Sequence, residues 1–426
     1  MNAPLTPAGT VGRYAPLPDM PALQAACHAR LEALSPQAAV QVTAVDGLLL
    51  RAPMDTPLKN SFRTLTERFA LMVRVRDADG QQGWGEVWCN YPPHGAQARK
   101  ALLDDVVAPM LLARPADTPP GHLRALESAA RVPALVSGDV GSFAQVLAGV
   151  DQALWDLAAR RLGMPLWQLL RRCAGVEAPD PGLPRVRAYA SGLAGVTAPG
   201  LATANAEAGH RAFKLKVGFG AREDEAVCEA LRAAIGEQAP LMLDANQRWD
   251  LARAREAAGA LARWRPLWLE EPMTADTPWA DWQALAAGGG IALAAGENLR
   301  DRPGFAAAWA SRSLYALQPD PGKWGGFSGV LPLAAAVARA AAAGEQAPMF
   351  CPHWLGGGVG LVVAQHLAAV VPAGHAWLEV DANPNSLRTE FLPEGWGVEE
   401  GEATLPAGAG LGFEPDETAL RRFTAE

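Results

Sequence analysis

No C-x-x-C pair occurs in this chain, and its five cysteines, Cys27, Cys89, Cys173, Cys228 and Cys351, are odd in number and scattered. That excludes a disulfide framework and a thiolate zinc site, and points to reduced thiols. Cys351, two residues before a histidine, reads as a small apolar filler rather than a nucleophile. No apolar run reaches the roughly 18 residues that a membrane-spanning helix needs. Residues 1–20 are rich in Pro, Gly and Ala and hold no apolar stretch behind a basic start, so no secretory leader is expected. Basic excess is missing too: 37 Lys and Arg stand against 45 Asp and Glu, a net charge of −8. Nucleic acid and anionic membrane are therefore not expected partners. No G-x-G-x-x-G follows any predicted strand, which removes the commonest dinucleotide cradle. What remains is a cytoplasmic protein that acts on small molecules.

The chain has 426 residues, half of them hydrophobic, enough for two domains and a large core. Residues 1–40 read as a loose N-terminal extension with one short helix around Met20–Ala33. Residues 41–183 read as an α+β domain. AVQVTAVDGLLLRAP suggests a strand pair turning at Asp46-Gly47, and FALMVRVRDADGQQGWGEVW a hairpin turning at Asp79-Gly80. Between them Met54–Arg68 is expected to be a long polar loop, of the kind that is usually functional. Residues 96–172 carry helical periodicity.

From residue 184 to 390 strand-like segments alternate with Ala-rich helical stretches. The strands are expected at Val186–Ser191, Ala212–Gly218, Leu241–Gln247, Leu267–Pro272, Ile291–Leu299, Leu314–Pro321, Met349–Trp354 and Ala376–Val380. This is the pattern of a (β/α) barrel, with an open doubly wound sheet as the alternative. Residues 391–426 are expected to return to the first domain.

In such a barrel the active site lies at the C-terminal strand ends. Here those ends carry Lys214 and Lys216, Asp244 and Asn246, Glu270, Glu297, Asp320, His353 and Glu379. Unpaired charges inside a barrel mouth are costly unless they meet each other or a metal. Asp244, Glu270 and Glu297 fall on three neighbouring strands. An all-oxygen set of that kind favours a hard divalent cation such as Mg²⁺. Lys216, with Lys214 two residues away, is expected to have a pKa lowered toward neutrality by like charge and desolvation. His353 is expected to be held by Asp320. Glu271 should point away from the site into a salt bridge. The chemistry that suits this set is abstraction of a proton α to a carboxylate. The enediolate would be stabilised by the cation, by Lys214 and by a protonated Glu379.

The motifs K-L-K (Lys214, Lys216), D-A-N (Asp244, Asn246), E-E-P (Glu270), G-E-N (Glu297), P-D-P-G-K-W-G-G (Asp320), P-H-W (His353) and W-L-E (Glu379) resemble those of the enolase superfamily. Within it they are similar to the mandelate racemase/muconate lactonizing enzyme family and its mandelate racemase subgroup. The resemblance runs from Val42 to Phe391 and includes GVDQALWDLAARRLGMPLWQLL, the link into the barrel. It implies an α+β capping domain over a modified (β/α)7β barrel, and one Mg²⁺ per subunit on Asp244, Glu270 and Glu297. Lys216 would be the base on one face and the His353–Asp320 dyad would stand on the other. The resemblance also implies a homo-oligomer, and a site closed by the Met54–Arg68 and Trp88–Gly95 loops. Lactone-forming members resemble one another in a sixth-strand lysine. Asp320 occupies that place here, and Lys323 reads as part of the following loop.

Both dehydratases and racemases of 2-hydroxy acids remain compatible with these residues. The polar lid candidates Lys59, Asn60, Ser61, Arg63, Asn90 and Tyr91, with Asn246, favour a carboxylate substrate of the acid-sugar class, dehydrated to a 2-keto-3-deoxy acid. A Schiff-base aldolase using Lys214 or Lys216 stays open as a different class, as does a non-catalytic binding protein on the same scaffold.

Overall fold

The computed structural model describes residues 15–16, 19–59, 64–176 and 182–425, and only the backbone of 55–59 and 64. The first domain opens with an antiparallel sheet of β1 (Val42–Lys59), β2 (Thr64–Asp77) and β3 (Gln82–Val87), in that spatial order. Strand β1 is continuous where a turn is expected at Asp46-Gly47, because the register pairs Asp46 with Arg74 and Gly47 with Val73. Gly47 is there for space: a Cβ would lie 2.5 Å from Asp104 Oδ1. The Asp79-Gly80 turn forms as expected, with φ 78° at Gly80. The helix Val140–Arg161 lies across the sheet so closely that a Cβ on Gly85 would come within 2.2 Å of the Gly149 carbonyl oxygen.

The described parts of Met54–Arg68 are strand, not loop. Most of it prolongs the β1–β2 hairpin, with Pro53 opposite Glu67 and Leu58 opposite Leu65. Polar residues alternating on a two-stranded arm carry the same composition as a loop, which is why the sequence misleads. Asn60, Ser61 and Arg63 lie outside the described residues, as does the side chain of Lys59.

The second domain contains eight parallel strands: β4 (Arg185–Leu193), β5 (Phe213–Lys216), β6 (Leu241–Asp244), β7 (Leu269–Glu270), β8 (Leu293–Ala295), β9 (Leu314–Leu317), β10 (Met349–Phe350) and β11 (Leu378–Asp381). They pair in sequence from β4 to β10. A Phe350–Ala376 bridge and the β11–β4 pairing close the ring. Tyr189, Met242, Trp268, Ala294, Ala316, Cys351 and Trp377 pack together as the barrel floor. Cys351 is thus the filler it was read to be.

The N-terminal segment is not loose where described. Helix Met20–Leu34 buries Met20, Leu23, Cys27 and Leu31, packing on the helices Leu166–Ala174 and Gly326–Ala342. Near the other terminus, β12 (Val398–Glu399) and β13 (Glu402–Thr404) add to the lower end of β4. The helix Glu417–Phe423 then lies against the first sheet, where Ala425 N–H donates to the Leu49 carbonyl at 2.8 Å. Among the described residues no helix is long and apolar enough to cross a membrane.

Cap and barrel are tied by buried polar contacts. Arg68 of β2 meets Asp381 of β11 at 2.8 Å. Glu86 of β3 accepts the backbone N–H groups of Gly357 (2.6 Å) and Gly360 (2.9 Å), at the start of the helix Gly358–Ala368. Burial nevertheless pushes the Glu86 carboxyl up to about 7, outweighing the two backbone donors. A carboxyl raised in the fold contributes stability that is complete below its ordinary 4.5 and is lost as pH rises through 7. Glu86→Gln should therefore flatten the fall in thermal midpoint across that window. An unchanged slope would contradict this assignment.

Candidate active site

The register of the barrel sets the site. Lys216 pairs across to Asp244, and Asp244 to Glu270, so these groups stand at one level on β5, β6 and β7. Two residues below each lies an inner partner, Lys214, Met242 or Trp268. This is the period-two alternation of a strand whose upper inner positions are charged and whose lower ones form the floor. His353 above Cys351 and Glu379 above Trp377 repeat it.

Lys214 is buried, and its ammonium donates to Glu270 at 2.7 and 2.8 Å and meets Glu379 at 2.6 Å. Burial alone would depress it, but Glu270 and Glu379 hold it well above the usual lysine range. Lys216 Nζ lies 3.1 Å from Asp244 Oδ2 and 2.5 Å from Asn246 Oδ1. Its pKa is raised, not lowered as expected: burial and Lys214 act downward as anticipated, and Asp244 overcomes them. Across the mouth, His353 Nδ1 lies 2.7 Å from Asp320 Oδ2 and Nε2 lies 2.5 Å from Glu297 Oε2. Glu297 and Glu379 override desolvation and bring the imidazole up to about 10. Glu297 is held well below the usual carboxylate range, against burial, chiefly by His353 and Lys323.

Glu379 Oε1 accepts from Ser191 at 2.5 Å and faces Lys214. Its Oε2 is buried with no hydrogen-bond partner among the described residues, 3.7 Å from His353 Nε2. That oxygen is available to a ligand. Glu271 has no salt-bridge partner among the described residues. It takes a left-handed backbone (φ 38°) and accepts from the Asn298 amide at 3.0 and 2.9 Å, directly behind Glu297. Burial and Glu297 push its carboxyl well above the ordinary value. Asn246 is bonded to both Asp244 and Lys216. Asn90 and Tyr91 sit on the Trp88–Gly95 segment at the cap edge, Tyr91 being largely exposed.

Four residues of the site were not singled out from sequence. Gln318 donates to Glu270 at 2.6 Å and Ser191 to Glu379. Both continue the inner-face alternation, above Ala316 and Tyr189, and strict period-two counting finds them. Lys323 is no mere loop residue: it is buried, with Nζ 3.5 Å from Glu297 and 3.9 Å from Asp320. Trp88 of the cap lies over that ammonium, 5.1 Å from ring centre to Nζ, so the lid is not wholly polar.

As placed, no three carboxylates or imidazoles among the described residues are poised to chelate an ion, because each of the carboxylates expected to bind metal turns to a cation. The donor set itself fits a hard divalent ion. Among the described residues, Asp244, Glu270, Glu271, Glu297, Asp320 and Glu379 crowd one mouth, and the lysines there are Lys214, Lys216 and Lys323. Glu270, at about 7, shows the cost: burial raises it, and Asp244 and Glu379 add to that against Lys214. A divalent ion would relieve this excess.

Two family models match the chain. One, described as "Mandelate racemase / muconate lactonizing enzyme, N-terminal domain", covers residues 42–171, and "Enolase C-terminal domain-like" covers 200–419. A D-galactarolactone cycloisomerase of Agrobacterium fabrum is 30% identical over 90% of this chain and 99% of its own length. An L-talarate/galactarate dehydratase of Salmonella typhimurium is 28% identical over 87% of this chain and 88% of its own. A crystal structure described as mandelate racemase/muconate lactonizing enzyme, from Bordetella bronchiseptica RB50, is 42% identical with a TM-score of 0.80, covering 90% of this chain and 99% of that one.

Proposed function

We propose, from the premise that this chain belongs to the mandelate racemase/muconate lactonizing enzyme family of the enolase superfamily and is an enzyme, that it removes the proton α to a carboxylate and eliminates a β-oxygen from an acid sugar. The single observation that carries the reading is the pairing of two proton-transfer groups across one mouth: Lys216 on β5 and the Asp320-held His353 beyond β9 and β10.

The roles follow from the geometry. Lys216 takes the C2 proton in its amine form. Lys214, two residues away, favours that form, and Asp244 opposes it until its charge is engaged elsewhere. The electron pair moves onto the substrate carboxylate to give an enediolate. Lys214, and Glu379 when its partnerless Oε2 carries a proton to donate, would meet its oxygens. His353, charged and aligned by Asp320, gives its proton to the oxygen on C3. The C3–O bond breaks, water leaves, and the enol tautomerises to a 2-keto-3-deoxy acid. Asp244, Glu270 and Glu297 are the residues that would hold Mg²⁺, which when bound supplies positive charge for the carboxylate oxygens.

A second reading, cycloisomerisation, is supported by the likeness to the galactarolactone enzyme. There the expelled β-oxygen would be the ring oxygen of a lactone, so no water is lost. A racemase would reprotonate C2 from the His353 face. The Schiff-base alternative is disfavoured, because Lys214 and Lys216 are both ion-paired and raised.

Proton NMR in D₂O with Mg²⁺, over acid sugars, their lactones and 2-hydroxy acids, tests these readings together. Dehydration gives loss of the C2 proton, a deuterated C3 methylene and a product lighter by water. Elimination without mass loss from a lactone points to cycloisomerisation. Exchange at C2 alone points to racemisation. No exchange with any acid would refute the proposal.

A further inference from the structure

Lys323 stands apart from the other cations of the mouth. Lys214 and Lys216 each hold a carboxylate oxygen at 2.6–3.1 Å. The nearest partners of Lys323 Nζ are the neutral Asn298 Oδ1 at 3.4 Å, Glu297 Oε1 at 3.5 Å and Asp320 Oδ2 at 3.9 Å. Asn298 cannot turn to improve this, because its amide nitrogen is spent on Glu271 and Glu297. Asp320 is already filled by His353 and by the backbone N–H groups of Gly322 and Lys323. A buried ammonium has three donors, and here none is well met.

Its position is fixed from both domains. The Pro321 carbonyl accepts from Gln152 at 2.9 Å and the Gly322 carbonyl from the Trp88 N–H at 3.4 Å. The Trp88 ring covers the ammonium on its cap side. The loop follows β9, four strands from β5 in either direction around the closed ring. Lys323 is therefore diametrically opposite the Lys214–Lys216 pair.

We infer that Lys323, under Trp88, is a substrate-binding residue that receives a second carboxylate at the far end of the substrate, which makes the preferred substrate a sugar diacid. This rests on the reading of the site given above. The reacting carboxylate lies toward Lys214. An extended polyhydroxy chain crosses the mouth between Lys216 and His353, and its distal carboxylate ends at Lys323, whose nearest anion, Glu297, stands 3.5 Å away where Lys214 and Lys216 hold theirs at 2.6–3.1 Å. Charge-assisted hydrogen bonds of this kind are worth about ten- to a hundredfold in binding.

The test compares a panel of hexaric acids with the matched hexonic acids, following C2 exchange and elimination in D₂O with Mg²⁺. The wild-type enzyme should favour a diacid, with KM at least about tenfold below that of the matched monoacid. Lys323→Gln should raise KM for the diacid about ten- to a hundredfold more than it raises KM for the matched monoacid, with any change in kcat shared by the two acids. Lys323→Arg should restore most of the loss. Equal damage to both acids, or a fall in kcat at unchanged KM, would show that Lys323 only supports Glu297 and His353, and overturns the inference. A wild-type preference for the monoacid overturns it while leaving the proposed function intact. No exchange with either acid removes the proposed function and this inference together.

Discussion

Lys216→Ala should abolish C2 deuterium exchange, lowering kcat by about 10²–10⁴, while His353→Asn stops elimination and leaves exchange running. The asymmetry follows from the opposed positions of the two groups. Lys216 sits on β5 beside Asp244, and His353 sits across the mouth on Asp320. If Lys216 is the base, its amine is the only proton acceptor on that face, and its loss leaves C2 untouched. If His353 is the acid, its loss strands the enediolate, which takes back a deuteron at C2 from the solvent-exchanged Lys216 ammonium and shows as exchange without product. A racemase gives a different signature, with each variant losing exchange on one epimer only. Both variants should retain fold and Mg²⁺ binding, checked by circular dichroism and calorimetry. Exchange at the wild-type rate in Lys216→Ala would sink the assignment.

The reach of sequence reasoning here follows the physics of strands. A short barrel strand has one rule, alternation, and its C-terminal end has one fate, the mouth. Lys214, Lys216, Asp244, Glu270, His353 and Glu379 were therefore legible as one set, and the structure links Lys214, Glu270, Glu379 and His353 in one chain of ion pairs and Lys216 with Asp244 in another. Lys323 was not, because it lies on a loop, where no periodicity says which way a side chain points. The Asp320 backbone cap that turns it inward is visible only in three dimensions. Glu271 failed for a related reason: alternation sends it outward, but its left-handed backbone bends it behind Glu297. The Lys216 pKa failed because like charge is readable from K-x-K, whereas the 3.1 Å approach of Asp244 depends on register. The Met54–Arg68 arm shows that polar composition separates buried from exposed, not strand from loop.

Glu297→Gln should weaken Mg²⁺ binding by about 10²-fold or more, since even outer-shell losses reduce metal affinity about 10–100-fold. Glu271→Gln should leave it within a few-fold. The two carboxyls share the amide of Asn298, yet their pKa values are shifted in opposite directions. Glu297 meets His353 at 2.5 Å and Lys323 at 3.5 Å, which keep it ionised in spite of burial. Glu271 has no cation within ion-pair distance among the described residues and is pushed upward by burial and by Glu297 itself. A carboxyl group binds a hard cation in its deprotonated form, so the pair provides an internal control. Calorimetric titration with Mg²⁺ on wild type and both variants reads this directly, free of the kinetic effect that Glu297→Gln will also have through His353. Equal losses in the two variants would mean a general electrostatic effect of the crowded mouth. An unchanged titration in Glu297→Gln would remove Glu297 from the metal set, leaving it as the partner of His353 and Lys323.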